Sequence, residues 1–87
     1  MITVVRMPKM GSIMTEGTIS KWMIEEGGIV EEGQVLYSVE TSKLTNEVEA
    51  EESGVLRKIL VNEGETVACQ EPIAIIADPD EDISGAI

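Results

Sequence analysis

Histidine and phenylalanine are missing from this 87-residue chain, and cysteine, tryptophan and tyrosine occur once each. Each shortage closes off a class of function. With Cys69 as the one cysteine, no internal disulfide can form, and without histidine the usual zinc ligand sets cannot be assembled. Nor is there a partner for a Cys–His nucleophile. Two aromatics, Trp22 and Tyr37, leave a thin aliphatic core rather than a deep pocket. Cations are scarce: Lys and Arg number 6 against 17 Asp and Glu, a net charge of −11. That argues against nucleic acid or an anionic membrane as a partner. The longest wholly apolar run, Ile73 to Ala77, is far too short to span a bilayer. The opening residues lack the basic-then-apolar form of a signal peptide, so an intracellular, reducing compartment is expected.

What remains is a chain of short strands. Ile2–Met7, Gly17–Ile24, Ile29-Val30, Val35–Thr41, Leu44–Ala50, Val55–Val61, Thr66-Val67 and Pro72–Ala77 carry apolar, often β-branched residues between turn signals. Glu25-Glu26-Gly27-Gly28, Glu31-Glu32-Gly33, Glu51-Glu52-Ser53-Gly54 and Asn62-Glu63-Gly64 punctuate them. Pro8–Glu16 is a loop without period, and no stretch has a useful helical period. The length suits one small domain.

An internal repeat sharpens the reading. Shifting Gly17–Glu40 by 37 residues lays it on Gly54–Ala77, matching Gly17 with Gly54, Lys21 with Lys58, Glu26 with Glu63, Gly27 with Gly64 and Val30 with Val67. Apolar positions coincide as well, Ile19 with Leu56 and Leu36 with Ile73 among them. Two copies of one strand–turn–strand unit predict an all-β fold: a flattened barrel or sandwich of two four-stranded, mostly antiparallel sheets with quasi-two-fold symmetry. Residues 1–78 are expected to form the domain. Residues 79–87, with Pro79 and several acids, read as an acidic tail that begins a linker.

Between the two copies lies Glu40-Thr41-Ser42-Lys43-Leu44-Thr45. Val35, Tyr37, Val39 and Thr41 alternate before it, and Leu44, Asn46, Val48 and Ala50 after it. A hairpin turning at Ser42-Lys43 pairs Thr41 with Leu44, Val39 with Asn46, Tyr37 with Val48 and Val35 with Ala50, and puts Lys43 at the tip. The symmetry counterpart of Lys43 falls near Asp80. The tip is therefore expected at one end of the molecule and the chain termini at the other.

These residues resemble the lipoyl domain of 2-oxo acid dehydrogenase complexes, most of all that of a dihydrolipoamide acyltransferase. Met7-Pro8-Lys9-Met10-Gly11 and Met14-Thr15-Glu16-Gly17-Thr18-Ile19 are similar to that family's first strand, surface loop and second strand. Glu40-Thr41-Ser42-Lys43 is similar to its Glu-Thr-Asp-Lys attachment motif, with Ser42 in place of Asp and Leu44 in place of the frequent Ala. Ser42 retains the capacity for a side-chain turn bond. The resemblance implies that a lipoate-attaching ligase or transferase joins lipoic acid to Lys43 by an amide bond. It implies a swinging arm that carries acyl groups and reducing equivalents among a 2-oxo acid decarboxylase, an acyltransferase catalytic domain and a dihydrolipoyl dehydrogenase. The host would be a pyruvate-type or other 2-oxo acid complex, or an acetoin complex. Its place would be the cytoplasm, or the mitochondrial matrix in a eukaryote. The resemblance also implies that the Pro8–Glu16 loop packs near Lys43, and that the domain has no active site of its own.

Two other readings compete. A biotin carrier shares the implied fold, but methionines normally flank its lysine, where this chain has Ser42 and Leu44. An unmodified adaptor would tolerate loss of Lys43. The remaining polar residues read plainly: Glu47, Glu49, Glu51 and Glu52 as a solvated face, Lys21 and Lys58 as surface positions, the methionines as core filler or loop anchors, and Cys69 as a small residue near a turn.

Overall fold

β-Branched Ile2, Thr3, Val4 and Val5 open the first strand, β1 (Ile2–Arg6). It is followed by β2 (Glu16–Trp22), β3 (Ile29–Val30), β4 (Val35–Glu40), β5 (Thr45–Glu49), β6 (Gly54–Ile59), β7 (Thr66–Ala68) and β8 (Pro72–Ala77). One turn of 3-10 helix, Ser84–Ala86, closes the chain. This computed structural model describes residues 2–9, 11, 14–42 and 44–86. Every strand pairing is antiparallel, and the strands form two four-stranded sheets, ordered β1-β8-β6-β3 and β5-β4-β2-β7. The two-sheet fold expected from the repeat is present.

The two-fold relation extends to individual hydrogen bonds. Under the 37-residue shift β2, β3 and β4 map onto β6, β7 and β8, while β5 and β1 are counterparts at the sheet edges. Gly27 N donates to Leu56 O at 2.6 Å, and Gly64 N donates to Ile19 O at 2.7 Å. Ile59 N donates to Glu26 Oε2 at 2.8 Å, and Trp22 N donates to Glu63 Oε2 at 2.9 Å. Each Glu-Gly turn therefore ties down a strand of the other half. The repeat keeps Glu26 and Glu63 because a strand N–H in the opposite copy needs an acceptor.

Bulges also come in pairs. Ser20 is extra in β2 against β4, and Arg57 is extra in β6 against β8. Leu36 is extra in β4 against β5, and Ile73 in β8 against β1. The bulge at Leu36 corrects one expected contact. Val35 pairs with Glu49 rather than Ala50, while Tyr37–Val48 and Val39–Asn46 pair as expected. Ala50 N instead donates to Gln34 O at 2.8 Å. The extra residue breaks strict alternation, so consecutive Leu36 and Tyr37 both join the core.

Between the sheets lie Met7, Ile19, Val30, Leu36, Val39, Leu56 and Ile73, all essentially without solvent contact. Each such side chain contributes on the order of 1.5–3 kcal/mol by burial. Trp22 and Tyr37 meet at a centroid distance of 5.1 Å with ring planes tilted by 46°. Burial, with the Glu51 carboxylate adding to it, pushes the Tyr37 phenol well above its ordinary pKa. Ile2 pairs with Ala77, so the chain enters and leaves the sandwich side by side. After Ala77, Glu81 N donates to Asp78 O at 3.2 Å, closing a turn.

Candidate functional site

Strands β4 and β5 are joined by four residues, Thr41 to Leu44, just beyond the pair Glu40–Thr45. Thr41 N donates to Leu44 O at 2.8 Å. Leu44 N donates to Thr41 Oγ1 at 3.3 Å, and that hydroxyl donates to Leu44 O at 3.2 Å. Thr41 thus braces the turn from its first position, the part expected of Ser42. Lys43 lies outside the described residues. Its neighbours Ser42 and Leu44 are exposed, Leu44 to 46% although it is a large apolar residue.

The Pro8–Glu16 loop and this turn form one groove of about 590 Å³. Gly11, Met14 and Thr15 line it from the loop, and Thr41, Ser42 and Leu44 from the hairpin. The strands supply Glu16, Gly17 and Thr18 of β2, Glu40 of β4 and Thr66 of β7. Thr18 Oγ1 and Thr66 Oγ1 lie 2.6 Å apart. The lining is mixed: threonine hydroxyls, two carboxylates, and the apolar ends of Met14 and Leu44. It suits an amphipathic guest such as an amide-linked aliphatic chain.

The loop is anchored at both ends by the turn between β7 and β8. Met7 N donates to Glu71 O at 2.9 Å, and Gln70 N donates to Met7 O at 2.8 Å. Cys69 N donates to Thr15 O at 3.0 Å, while Cys69 Sγ lies 3.7 Å from both Pro8 O and Met14 O. Arg6 Nη1 donates to Gln70 O at 2.9 Å. Cys69 is therefore a loop anchor, and only the repeat, which sets it opposite Glu32 beside Gly33, hints at a turn there. Half-buried Met14 packs against the core, and Met10 lies outside the described residues. Gly17 is needed where β2 passes under the groove: a Cβ there would come within 2.9 Å of Met7 Sδ and of a Val39 methyl. Glu47, Glu49 and Glu51 face solvent and Glu52 is half-buried. Among the described residues, no group of three or more His, Cys, Asp or Glu side chains could hold a metal ion.

The biotin/lipoyl family, described as biotin-requiring enzyme, matches residues 3–76. The acetyltransferase component of the pyruvate dehydrogenase complex of Zymomonas mobilis is 43% identical over 81 residues, which are 92% of this chain and 18% of that protein. The succinyltransferase component of the 2-oxoglutarate dehydrogenase complex of Staphylococcus saprophyticus is 39% identical over 74 residues, 85% of this chain and 18% of that protein. This chain thus spans about a fifth of the length of these curated relatives. Among solved structures, the lipoyl domain of the 2-oxoglutarate dehydrogenase complex of Azotobacter vinelandii superposes with a TM-score of 0.73 at 28% identity, covering 87% of this chain and 98% of that one.

Proposed function

We propose, because this chain belongs to the biotin/lipoyl family, that Lys43 is its attachment residue and that the group it carries is lipoic acid in amide linkage. One observation carries the reading. The Glu40-Thr41-Ser42-Lys43 motif falls on the β4–β5 turn, whose described residues close on one another and line a groove beside the exposed loop. An attaching enzyme needs an amine on a braced turn clear of the sheets, and Thr41 supplies the brace. Ser42 and Leu44, rather than methionines, favour lipoate over biotin.

When bound, the group supplies a dithiolane that accepts an acyl group and electrons together. The domain's own contribution is tethering. A short arm on a compact carrier raises the local concentration of its far end at each active site it visits. No acid, base or metal from the domain is required. The host assembly is a 2-oxo acid dehydrogenase complex of the pyruvate or 2-oxoglutarate type, and the chain is a carrier segment of a dihydrolipoamide acyltransferase. Its partners are the attaching enzyme, the 2-oxo acid decarboxylase, the acyltransferase core and a dihydrolipoyl dehydrogenase. Amide formation removes one positive charge, making a net charge of −11 more negative by one unit. The Pro8–Glu16 loop and the acidic arm at Glu40, Glu47 and Glu49 present the surface by which the decarboxylase selects this carrier.

The test is the intact mass of the domain from its native host, followed by mapping of the modified peptide. A lipoyl increment on Lys43 is expected. A biotin increment there moves the function to carboxyl transfer. An unmodified lysine, in a host whose other lipoyl proteins are loaded, defeats the carrier reading.

A further inference from the structure

We infer that residues 78–83 are a strap, latched by Arg57, that closes over the outer face of the β1-β8-β6-β3 sheet and belongs to the folded domain rather than to a linker. The burial of two residues demands a cover. Ile75 and Ala77 lie on the outer face, since Ala74 and Ile76 point into the core. Yet Ile75 has no solvent contact and Ala77 is 2% exposed, although neither joins the cluster between the sheets. Their neighbours within the sheet do not close that face. Val4, paired with Ile75, and Val55, paired with Ala77, are half-buried, and Lys58, also paired with Ile75, is exposed.

Topology sends the chain there. In the first half the Thr41–Leu44 turn feeds β5, which takes the edge place beside β4. In the second half β1 already holds the corresponding place beside β8. The chain leaving β8 therefore has no strand to form and passes out of the sheet. A turn reverses it: Glu81 N donates to Asp78 O at 3.2 Å, and Asp78 N donates to Glu81 Oε1 at 3.3 Å. Arg57, the extra residue of the β6 bulge, clasps that turn from the sheet, its Nη1 donating to Asp78 O at 2.6 Å and to Glu81 O at 2.7 Å. From Glu81 onward exposure alternates. Glu81 and Ile83 are half-buried, while Asp82 and Ser84 are exposed, as in an extended segment with one side against a surface. Ile83 is the one large apolar side chain between Asp78 and Ala86, and it supplies the cover that Ile75 and Ala77 require. Asp82 Oδ1 accepts from Ser84 N at 2.9 Å and finishes the strap. A chain continuing beyond this segment is free only from Ser84 onward, so the strap fixes where a tether starts and which sheet it leaves from.

The strap does not depend on the carrier reading, and its test needs no lipoyl group. The full chain is labelled at its isoleucine and alanine methyls and studied by nuclear Overhauser spectroscopy. Cross-peaks from Ile83 to Ile75 or Ala77 are expected within a single chain. Their absence overturns the proposal. So does their appearance only between labelled and unlabelled chains in a mixed sample, which would make a second copy the cover. In parallel the chain is cut with a glutamyl endopeptidase and the sites are mapped by mass. Cleavage after Glu81 should be slow and should quicken about tenfold in Arg57→Ala, the population shift that loss of two hydrogen bonds implies. Ile83→Ser should quicken it as well. Cleavage after Glu32, in the exposed turn before β4, should hold its rate in both variants. Equal cleavage after Glu81 in all three chains, or an equal acceleration after Glu32, overturns the assignment of Arg57 and Ile83 to a local latch.

Discussion

Two rows of side chains run across the outer faces of the two sheets, and they are counterparts under the internal two-fold. Ile2, Ala77, Val55 and Ile29 form one, across β1-β8-β6-β3. Thr45, Glu40, Thr18 and Thr66 form the other, across β5-β4-β2-β7. In each sheet the adjoining row, Ile76 with Leu56 and Val39 with Ile19, points into the core, so these rows point outward. One is apolar throughout and the other polar throughout. The apolar row ends in Ile29, 75% exposed, yet Ala77 within it is only 2% exposed and neighbouring outward Ile75 is fully buried. The polar row supplies Glu40, Thr18 and Thr66 to the open groove. Strand register is the same in both halves, so it cannot be what makes one turn a site. The difference lies in three departures from symmetry. The loop Pro8–Glu16 has nine residues where its counterpart Glu51–Ser53 has three. The bulge residue is Ser20 rather than Arg57. The turn holds Lys43 where the other holds Asp80.

The largest effect breaks the comparison at its chemistry. Lys43→Arg keeps the charge but removes the amine, and loading by a lipoate-attaching ligase should fall to nothing by intact mass. Asp80→Lys puts an amine on the counterpart turn, which Arg57 bonds at two carbonyls and which the short Glu51–Ser53 link flanks. It should stay unloaded. A doubly loaded Asp80→Lys chain would mean that any lysine on such a turn suffices, and that the loop and groove play no part in attachment.

Stability should show the opposite: equivalence. Ile19 and Leu56 are counterparts, each fully buried in the same core. Truncation of either to alanine should cost roughly 2–5 kcal/mol, and the two costs should agree within about 1 kcal/mol. Chemical denaturation measures both. A large gap between them would show that one half carries the fold and the other merely decorates it.

A smaller effect concerns the turn that Arg57 holds. Arg57→Ala removes two hydrogen bonds to exposed or half-buried carbonyls and should cost about 1 kcal/mol. Hydrogen exchange should quicken at Glu81 and at Ala77, the buried outward residue from which that segment leaves. Loading of Lys43 should not change. Slower loading would mean that the two turns communicate, contrary to the independence that their distinct bonding implies.

Most of the scaffold was legible in the chain. Strands declared themselves by alternation, and the repeat placed both sheets. The bulges were not legible, because Ser20, Leu36, Arg57 and Ile73 are ordinary strand residues and an extra residue shows only against its partner strand. That is why Val35 was expected opposite Ala50. Glu26 and Glu63 were visible as matched turn residues, but their reach into the opposite half was not, since it joins positions 33 and 41 residues apart. Spacing alone does not show the groove, because its two walls, around Met14 and Leu44, meet only in the fold; the family resemblance alone sets that loop beside the turn.

The repeat also carries a backbone signal. The repeat sets Gln70 opposite Gly33, and both adopt positive φ, 75° and 88°. Gly33 pays little for that conformation, whereas a residue with a Cβ is strained there. Gln70 is exposed, and its backbone does the anchoring: its N–H donates to Met7 O and its carbonyl accepts from Arg6. The side chain is dispensable to both bonds. Gln70→Gly should therefore stabilise the chain by about 0.5–1 kcal/mol, the relief of strain outweighing the added freedom of the unfolded state. The converse change, Gly33→Gln, should destabilise by a similar amount. Thermal unfolding reads both. If Gln70→Gly is neutral or harmful, the side chain of Gln70 contributes to holding the Pro8–Glu16 loop, and the loop's anchor is more than a backbone clasp.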